Sequence, residues 1–368
     1  MSAVCERMPL LSICIPTYNR AELLRSTLAA VAPQVKDLED EVELVVSDNC
    51  SVDHTKAVVD SFIESCPIVY HRNDENIGFP KNIALLTGRL AHGEYGWIIG
   101  DDDTIREGGV RKVVEILKAH AELDYVYVNC YPQIPLTNED RNSTSDAGFE
   151  WSLLGSKDVR ERRVDRWEQL LEEDRFGLTA IYSSVFRLSL WREAMSGLQM
   201  GTAPTNAVNL FPQTIILAKA MRGRPSWSTG YPWVANGLTI SWTDIAPLVC
   251  LVAQDMFDKL EEEGIDPKYL RGPRRRFLII NGPGLAAVVN RPETQKPEGF
   301  NFRDFVSKYF EYGEMIGFLY FLACIDIRRG WREHPIISTL AIGVKPLALP
   351  ILRLIILRKE HGMHVRDR

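Results

Sequence analysis

Four short apolar runs in the first hundred residues each end on a polar cluster. Leu10-Leu11-Ser12-Ile13-Cys14-Ile15 leads into Pro16-Thr17-Tyr18-Asn19. Val42 to Val46 leads into Ser47-Asp48-Asn49, and Ile68-Val69-Tyr70 into Asn73-Asp74-Glu75-Asn76-Ile77-Gly78. Tyr95 to Ile99 leads into Gly100-Asp101-Asp102-Asp103. Runs this short read as buried strands. Helical spacing fills the gaps: Leu24, Leu28 and Val31, closed by Pro33; Ala57, Val58, Phe62 and Ile63; then a helix from about Pro80 to Leu90. Alternating strands and helices build a mostly parallel sheet with right-handed crossovers. The C-terminal ends of such strands share one edge, so the polar clusters converge where open α/β sheets hold ligands.

The triplet Asp101-Asp102-Asp103 is the most informative cluster. Three adjacent carboxylates repel one another and suit a hard cation, Mg²⁺ or Mn²⁺, shared with a substrate's phosphates. The plainer alternative is a solvated acidic turn that caps the next helix. Upstream, Asn19 reads as the cap of the first helix with Glu22 at capping-box spacing, and Ser51 and Asp53 are cap-type residues before the second.

Beyond the triplet, Val110 to Leu117 reads as an amphipathic helix and Tyr125 to Val128 as a strand. Residues 132 to 165 are polar and loop-like, long enough to cover a substrate. Leu178 to Phe186 reads as a strand, Leu190 to Met195 as a helix start and Phe211 to Met221 as a helix. Trp227, Trp233 and Trp242 fall in apparent loops; such rings serve a core or stack on sugar faces. Asp244 to Glu263, Arg271 to Asn290 and Phe302 to Arg329 read as helical. Pro335 to Leu357 is apolar apart from Lys345 and Arg353 and is broken by Pro346 and Pro350. That pattern fits an interfacial segment or a buried terminal helix pair better than a spanning helix.

The net charge of -6 and pI near 5.8 argue against a general nucleic-acid binder. The charge is uneven: residues 328–368 carry nine Lys/Arg against three Asp/Glu. A basic tail on an acidic body suggests an anionic partner, and a membrane surface is one candidate. Seven widely spaced cysteines without a CxxC pair fit reduced thiols in a cytosol. Met1 to Pro9 has no signal-peptide pattern.

The ordered set of motifs resembles a known family. Ser12-Ile13-Cys14-Ile15-Pro16-Thr17-Tyr18-Asn19-Arg20 is similar to the opening strand of family 2 glycosyltransferases. Val45-Val46-Ser47-Asp48-Asn49-Cys50-Ser51-Val52-Asp53 resembles their second motif, and Asn76-Ile77-Gly78 with Lys81-Asn82 their third. Gly100-Asp101-Asp102-Asp103 resembles their metal-binding acidic motif. The form looks closest to bacterial transferases of surface-polysaccharide synthesis, including the abequosyltransferase-like branch.

The resemblance implies an α/β GT-A nucleotide-diphospho-sugar transferase fold. Residues 1–130 would bind the nucleotide sugar, 131–240 the acceptor, and 241–368 would form a helical region able to associate with a membrane. Pro16, Thr17 and Tyr18, with Asn19, would line the nucleobase pocket, and Asp48 would accept a hydrogen bond from the base. Asn76 and Lys81 would lie near base or phosphates. Asp101 would face ribose or metal, and Asp102 or Asp103 would ligate a divalent metal (Mn or Mg). The implied activity moves a sugar from a nucleotide-diphosphate donor to a saccharide or lipid-linked acceptor at the cytoplasmic face of the membrane.

One departure is plain. Inverting members carry a Glu-Asp pair in the acceptor half as general base. The matching stretch here is Asn209-Leu210-Phe211-Pro212-Gln213-Thr214, without a carboxylate. Asp174, Glu193 and Asp244 are nearby candidates, each otherwise a solvated surface carboxylate. Two other readings stay open. A nucleotidyltransferase needs a Gly-rich loop where this chain has Pro16-Thr17-Tyr18-Asn19; a non-catalytic sugar-nucleotide-binding relative would explain the missing pair.

Overall fold

Leu11–Thr17 (β1) and Val42–Asp48 (β2) are buried on both faces, as inner strands of a parallel sheet are. The computed structural model describes residues 8–132, 155–174, 178–202, 206–237 and 246–276, all within one compact unit spanning residues 1–280. Helix Ala21–Lys36 (α1) joins β1 to β2 and buries Leu24, Leu28, Val31 and Val35 as one stripe. It runs three residues past Pro33, where the sequence suggested a stop. The proline carbonyl still accepts the Asp37 N–H at 3.3 Å, and Val35 is fully buried.

Helix Thr55–Ile63 (α2) leads to Ile68–Arg72 (β3), a half-exposed edge strand. Helix Phe79–Leu85 (α3) continues into a π turn, Leu86–Leu90, before Tyr95–Ile98 (β4). The short Thr104–Ile105 (β5), helix Gly109–Ala119 (α4) and Tyr125–Pro132 (β6) follow. The second half contains Arg162–Val164 (β7), Glu168–Glu173 (α5), Ser184–Arg187 (β8) and Leu188–Met195 (α6). Then come Ala207–Leu210 (α7), Pro212–Met221 (α8), Ser226–Asn236 (β9) and Ala246–Glu262 (α9).

Among the described residues these strands form one sheet in the order β3-β2-β1-β4-β8-β6-β9-β5, with β7 on β9. β3, β2, β1 and β4 are mutually parallel; β8 is antiparallel to β4 and β6, while β6 and β9 run parallel. A parallel half continuing into a mixed half, flanked by helices, is the GT-A arrangement that the resemblance implied. Two apolar layers sandwich the sheet. One packs α1 and α4 on one face; the other packs α6 to α9 on the opposite face.

The structure revises the second half of the sequence reading. Trp227 and Trp233 lie on the eleven-residue strand β9 rather than in loops. Trp227 stacks on His120 at 3.8 Å and Trp233 meets Tyr231 edge-on at 4.7 Å, both half-buried against the core. The polar stretch from 132 to 165 contains β7, while its residues 133–154 lie outside the described part. Of the strand suggested for Leu178 to Phe186, only Ser184 onward is extended, after a 3-10 turn Ile181–Ser183. The stretch from Arg271 is helical as far as residue 276. The segments from Phe302 and Pro335, the basic stretch 328–368 and Trp242 lie outside the described residues. No described helix is long and apolar enough to cross a membrane.

Candidate active site

Strand register brings the clusters level. Thr17 pairs across from Asp48, and Cys14 across from Ile98. Three residues beyond that second pair, Thr17 Oγ1 donates to Asp101 Oδ2 at 2.8 Å. The ends of β1, β2, β3 and β4 thus share one edge.

The loops after β1 and β2 clasp each other. Asn19 sits at φ 52° and Cys50 at φ 71°, left-handed conformations that asparagine adopts more readily than most residues and cysteine seldom does. The Asn19 N–H donates to Ser51 Oγ at 2.8 Å, and the Val52 N–H donates back to Asn19 Oδ1 at 2.8 Å. Asp53 then serves two helices. Its Oδ2 accepts the Ala21 N–H of α1 at 3.0 Å, and its Oδ1 accepts the Thr55 N–H of α2 at 3.1 Å. The expected capping box is therefore absent: Arg20 holds the N-cap position without a side-chain cap bond, and Glu22 reaches His54 at 2.6 Å.

The three aspartates have three different environments. Asp101 is 3% exposed and takes Thr17 together with Arg20 Nη1 at 2.5 Å. Asp102, the most open, takes Arg20 Nη2 at 2.7 Å. Asp103 is turned inward: Oδ2 accepts the Gly100 N–H at 2.8 Å and Oδ1 the Gly237 N–H at 3.1 Å, past the end of β9. Thr27 of α1 donates to its carbonyl at 2.8 Å. Burial pushes the Asp101 carboxyl up to about 6, with Arg20 and Thr17 pulling it down. Burial, then the charge of Asp102, pushes Asp103 up to about 7.

As a metal site the triplet fits in part. Among the described residues no three His, Cys, Asp or Glu side chains converge to hold an ion, and the Asp103 carboxylate already accepts two backbone N–H groups. The donor type is right for a hard cation, and the Asp102 side chain is 15% exposed. One or two carboxylates plus substrate phosphates is a common way to hold Mg²⁺.

Asp48, the expected acceptor for the base, is 1% exposed. Its Oδ1 accepts the Ser51 N–H at 2.8 Å and its Oδ2 the Tyr70 hydroxyl at 2.7 Å, with Arg72 Nε at 3.8 Å. Beside it runs a chain of amides. Ser47 donates to Asn82 Oδ1 at 2.7 Å, Asn73 donates to Asn82 and Asn49 at 3.0 Å each, and Asn49 donates to Asn76 at 2.8 Å. Asn76 also accepts the N–H of Gly78, which sits at φ 82°. Asn49 and Asn82 hold the loop after β3 against β2.

Tyr18 is 42% exposed and Lys81 is exposed, both open to a ligand. Pro16 is half-buried within β1. The base candidates separate. Asp174 is buried at 1% and accepts the Tyr127 hydroxyl at 2.5 Å and the Leu178 N–H at 2.9 Å, so it is no solvated surface group. Glu193 is exposed on α6, and Asp244 lies outside the described residues. Asn209 and Gln213 are buried; Gln213 donates to the Thr179 carbonyl at 2.7 Å and Asn209 accepts the Gly201 N–H at 2.7 Å. Sequence reasoning assigned no role to Arg20, Tyr70, Arg72 or Gly237. Arg20 was in view, directly after the first motif; Gly237 was not, because it follows a strand read as loop.

Residues 12–184 match the family described as "Glycosyl transferase family 2". The chain is 36% identical over 116 residues to abequosyltransferase RfbV of Salmonella typhimurium, covering 31% of this chain and 34% of that protein. It is 31% identical over 124 residues to a GalNAc(5)-diNAcBac-PP-undecaprenol beta-1,3-glucosyltransferase of Campylobacter jejuni, covering 33% and 38% respectively. The match thus spans little more than a third of either relative. A solved mannosyltransferase from Pyrobaculum calidifontis, in complex with GDP-Man and Mn2+, aligns with 93% of this chain and 88% of its own at 16% identity and a TM-score of 0.48.

Proposed function

We propose that the protein is a metal-dependent glycosyltransferase that moves a sugar from a nucleotide-diphosphate donor to a saccharide or lipid-linked saccharide acceptor in polysaccharide synthesis. The observation that carries the reading is the bond from Thr17 to Asp101, flanked by Arg20, where the parallel half of the sheet presents its C-terminal edge. The family matched over residues 12–184 and the relatives' names support it.

In this reading Tyr18, with Pro16, Thr17 and Asn19, borders the base. Asp48 and Asn76 shape that pocket through the loops they hold, and Lys81 reaches the phosphates. Asp101 faces the ribose. Asp102 holds the divalent cation together with the diphosphate, and Asp103 keeps the turn in place. When bound, the cation neutralises the diphosphate leaving group as the glycosidic bond breaks. The basic stretch 328–368 supports approach to an anionic lipid surface at the cytoplasmic face.

Calorimetry with UDP, GDP, CDP and dTDP, each with Mn²⁺ and with EDTA, tests the reading. One nucleotide should bind only with metal, and Asp102→Ala should abolish that binding. Equal affinity in EDTA removes the metal role, and no binding of any nucleotide overturns the donor site.

A further inference from the structure

We infer that Arg20 stands in for the divalent cation when no donor is bound, and that it passes to the diphosphate when donor and cation enter together. The inference rests on the donor site proposed above.

The guanidinium bridges two members of the triplet, with Nη1 on Asp101 at 2.5 Å and Nη2 on Asp102 at 2.7 Å. Helix polarity does not favour that position. Arg20 is the N-cap of the sixteen-residue α1, where the aligned peptide dipoles disfavour a cation. The two carboxylates hold it there against that field. Asp103 is engaged elsewhere, on Gly100 and Gly237. Every carboxylate of the triplet therefore has a partner that is not a metal.

A divalent cation arriving alone must break the charge-assisted pair on Asp102 and come to rest beside a displaced guanidinium. Like charges a few ångströms apart repel strongly near a protein surface. A diphosphate changes the balance, because its oxygens accept the planar fork of an arginine in paired bonds. Released from the aspartates, Arg20 has an anion to hold, and the carboxylate it leaves turns to the cation. Cation and nucleotide then bind as a coupled pair, each raising the affinity of the other by the same factor.

Electron paramagnetic resonance of Mn²⁺ tests this on the full chain. The first probe is Mn²⁺ alone, so the donor need not be known. Arg20→Ala should bind Mn²⁺ alone about tenfold or more tighter than the parent protein, by removal of a repelling charge. The gain in Mn²⁺ affinity on adding the best-binding nucleoside diphosphate should shrink. Arg20→Lys, which keeps the charge, should stay near the parent. A general structural defect lowers metal affinity and cannot mimic the expected rise. If Arg20→Ala melts early, Arg20→Gln is read the same way. Unchanged or weaker Mn²⁺ binding in the neutral variants overturns the inference and leaves the donor site standing, provided the parent protein binds Mn²⁺ with a nucleotide. Absence of Mn²⁺ binding by the parent with all four nucleotides overturns both.

Discussion

Asp53 shows how much one side chain does at the site's rim. Its two oxygens cap α1 and α2 together, so two loops far apart in sequence share one carboxylate. Burial opposes its charge, but the Thr55 hydroxyl, the N–H groups of Ala21 and Thr55, and His54 together hold its carboxyl below the ordinary 3.8. A depressed carboxylate stabilises the fold above its unfolded value, and that contribution is lost as pH falls through the folded one. Asp53→Ala should cost about 1–2 kcal/mol near neutrality, two helix caps' worth reduced by the site's exposure. The gap between variant and parent in urea melts should close as the solution is acidified below the ordinary carboxylate range. A gap that is constant with pH, or absent at neutrality, rules out the double cap. Asp48 and Asn82 belong to the same class, since each spends its polar atoms on the frame beneath the ligand edge rather than on an open pocket wall.

Elements of the first half were legible because local and global signals agree there. Short apolar runs became inner strands, and the stripe Leu24, Leu28, Val31 became the buried face of α1. The polar clusters at their ends did meet on one edge, with Thr17 touching Asp101 as parallel topology requires. What the pattern could not show is which way each polar group turns. Asp103 faces backbone N–H groups and Asp102 an arginine, a choice made by tertiary contacts with Gly237 and Arg20. In the second half the same reasoning failed on β9, whose sequence Ser-Trp-Ser-Thr-Gly-Tyr-Pro-Trp-Val-Ala-Asn looks like loop. The register slips on either side of Asn129, Gly230 stands at φ 64°, and Asn129 donates to the carbonyls of Gly230 and Ser156 at 2.7 and 2.9 Å. Glycine and proline inside a strand signal a bulge as well as a turn. A Cβ at Gly230 would stand 2.4 Å from the Val159 carbonyl oxygen, so the close approach itself demands glycine. β7 was invisible because Arg162-Arg163-Val164 is too short and polar to show a period.

At the scale of the whole molecule, charge is the feature that local structure does not explain. Nine Lys/Arg and three Asp/Glu fall in residues 328–368 of a chain whose net charge is -6. Each basic residue near an anionic bilayer contributes about 1 kcal/mol, screened by salt. The full chain should therefore float with anionic vesicles at low ionic strength and be released at high ionic strength. Recovery in the soluble fraction at low salt would set the membrane reading aside.

The order of strands also bears on how the chain reaches this fold. β1 and β2 pair across about thirty residues, from Leu11 to Val42, whereas β6 and β9 pair across about a hundred, from Val126 to Trp227. Closing a longer loop costs more entropy before any contact returns it, and non-local pairing is slow. The parallel half can assemble while the rest of the chain is still being made, whereas β9 can enter only after residue 226 is available. Asp103 would gain its second backbone partner at Gly237 in that last step. The acidic turn would thus be completed by the end of folding rather than its beginning. Pulse-labelled hydrogen exchange during refolding should protect the amides of β1 and β2 before those of β9; simultaneous protection would mean that both halves close as one.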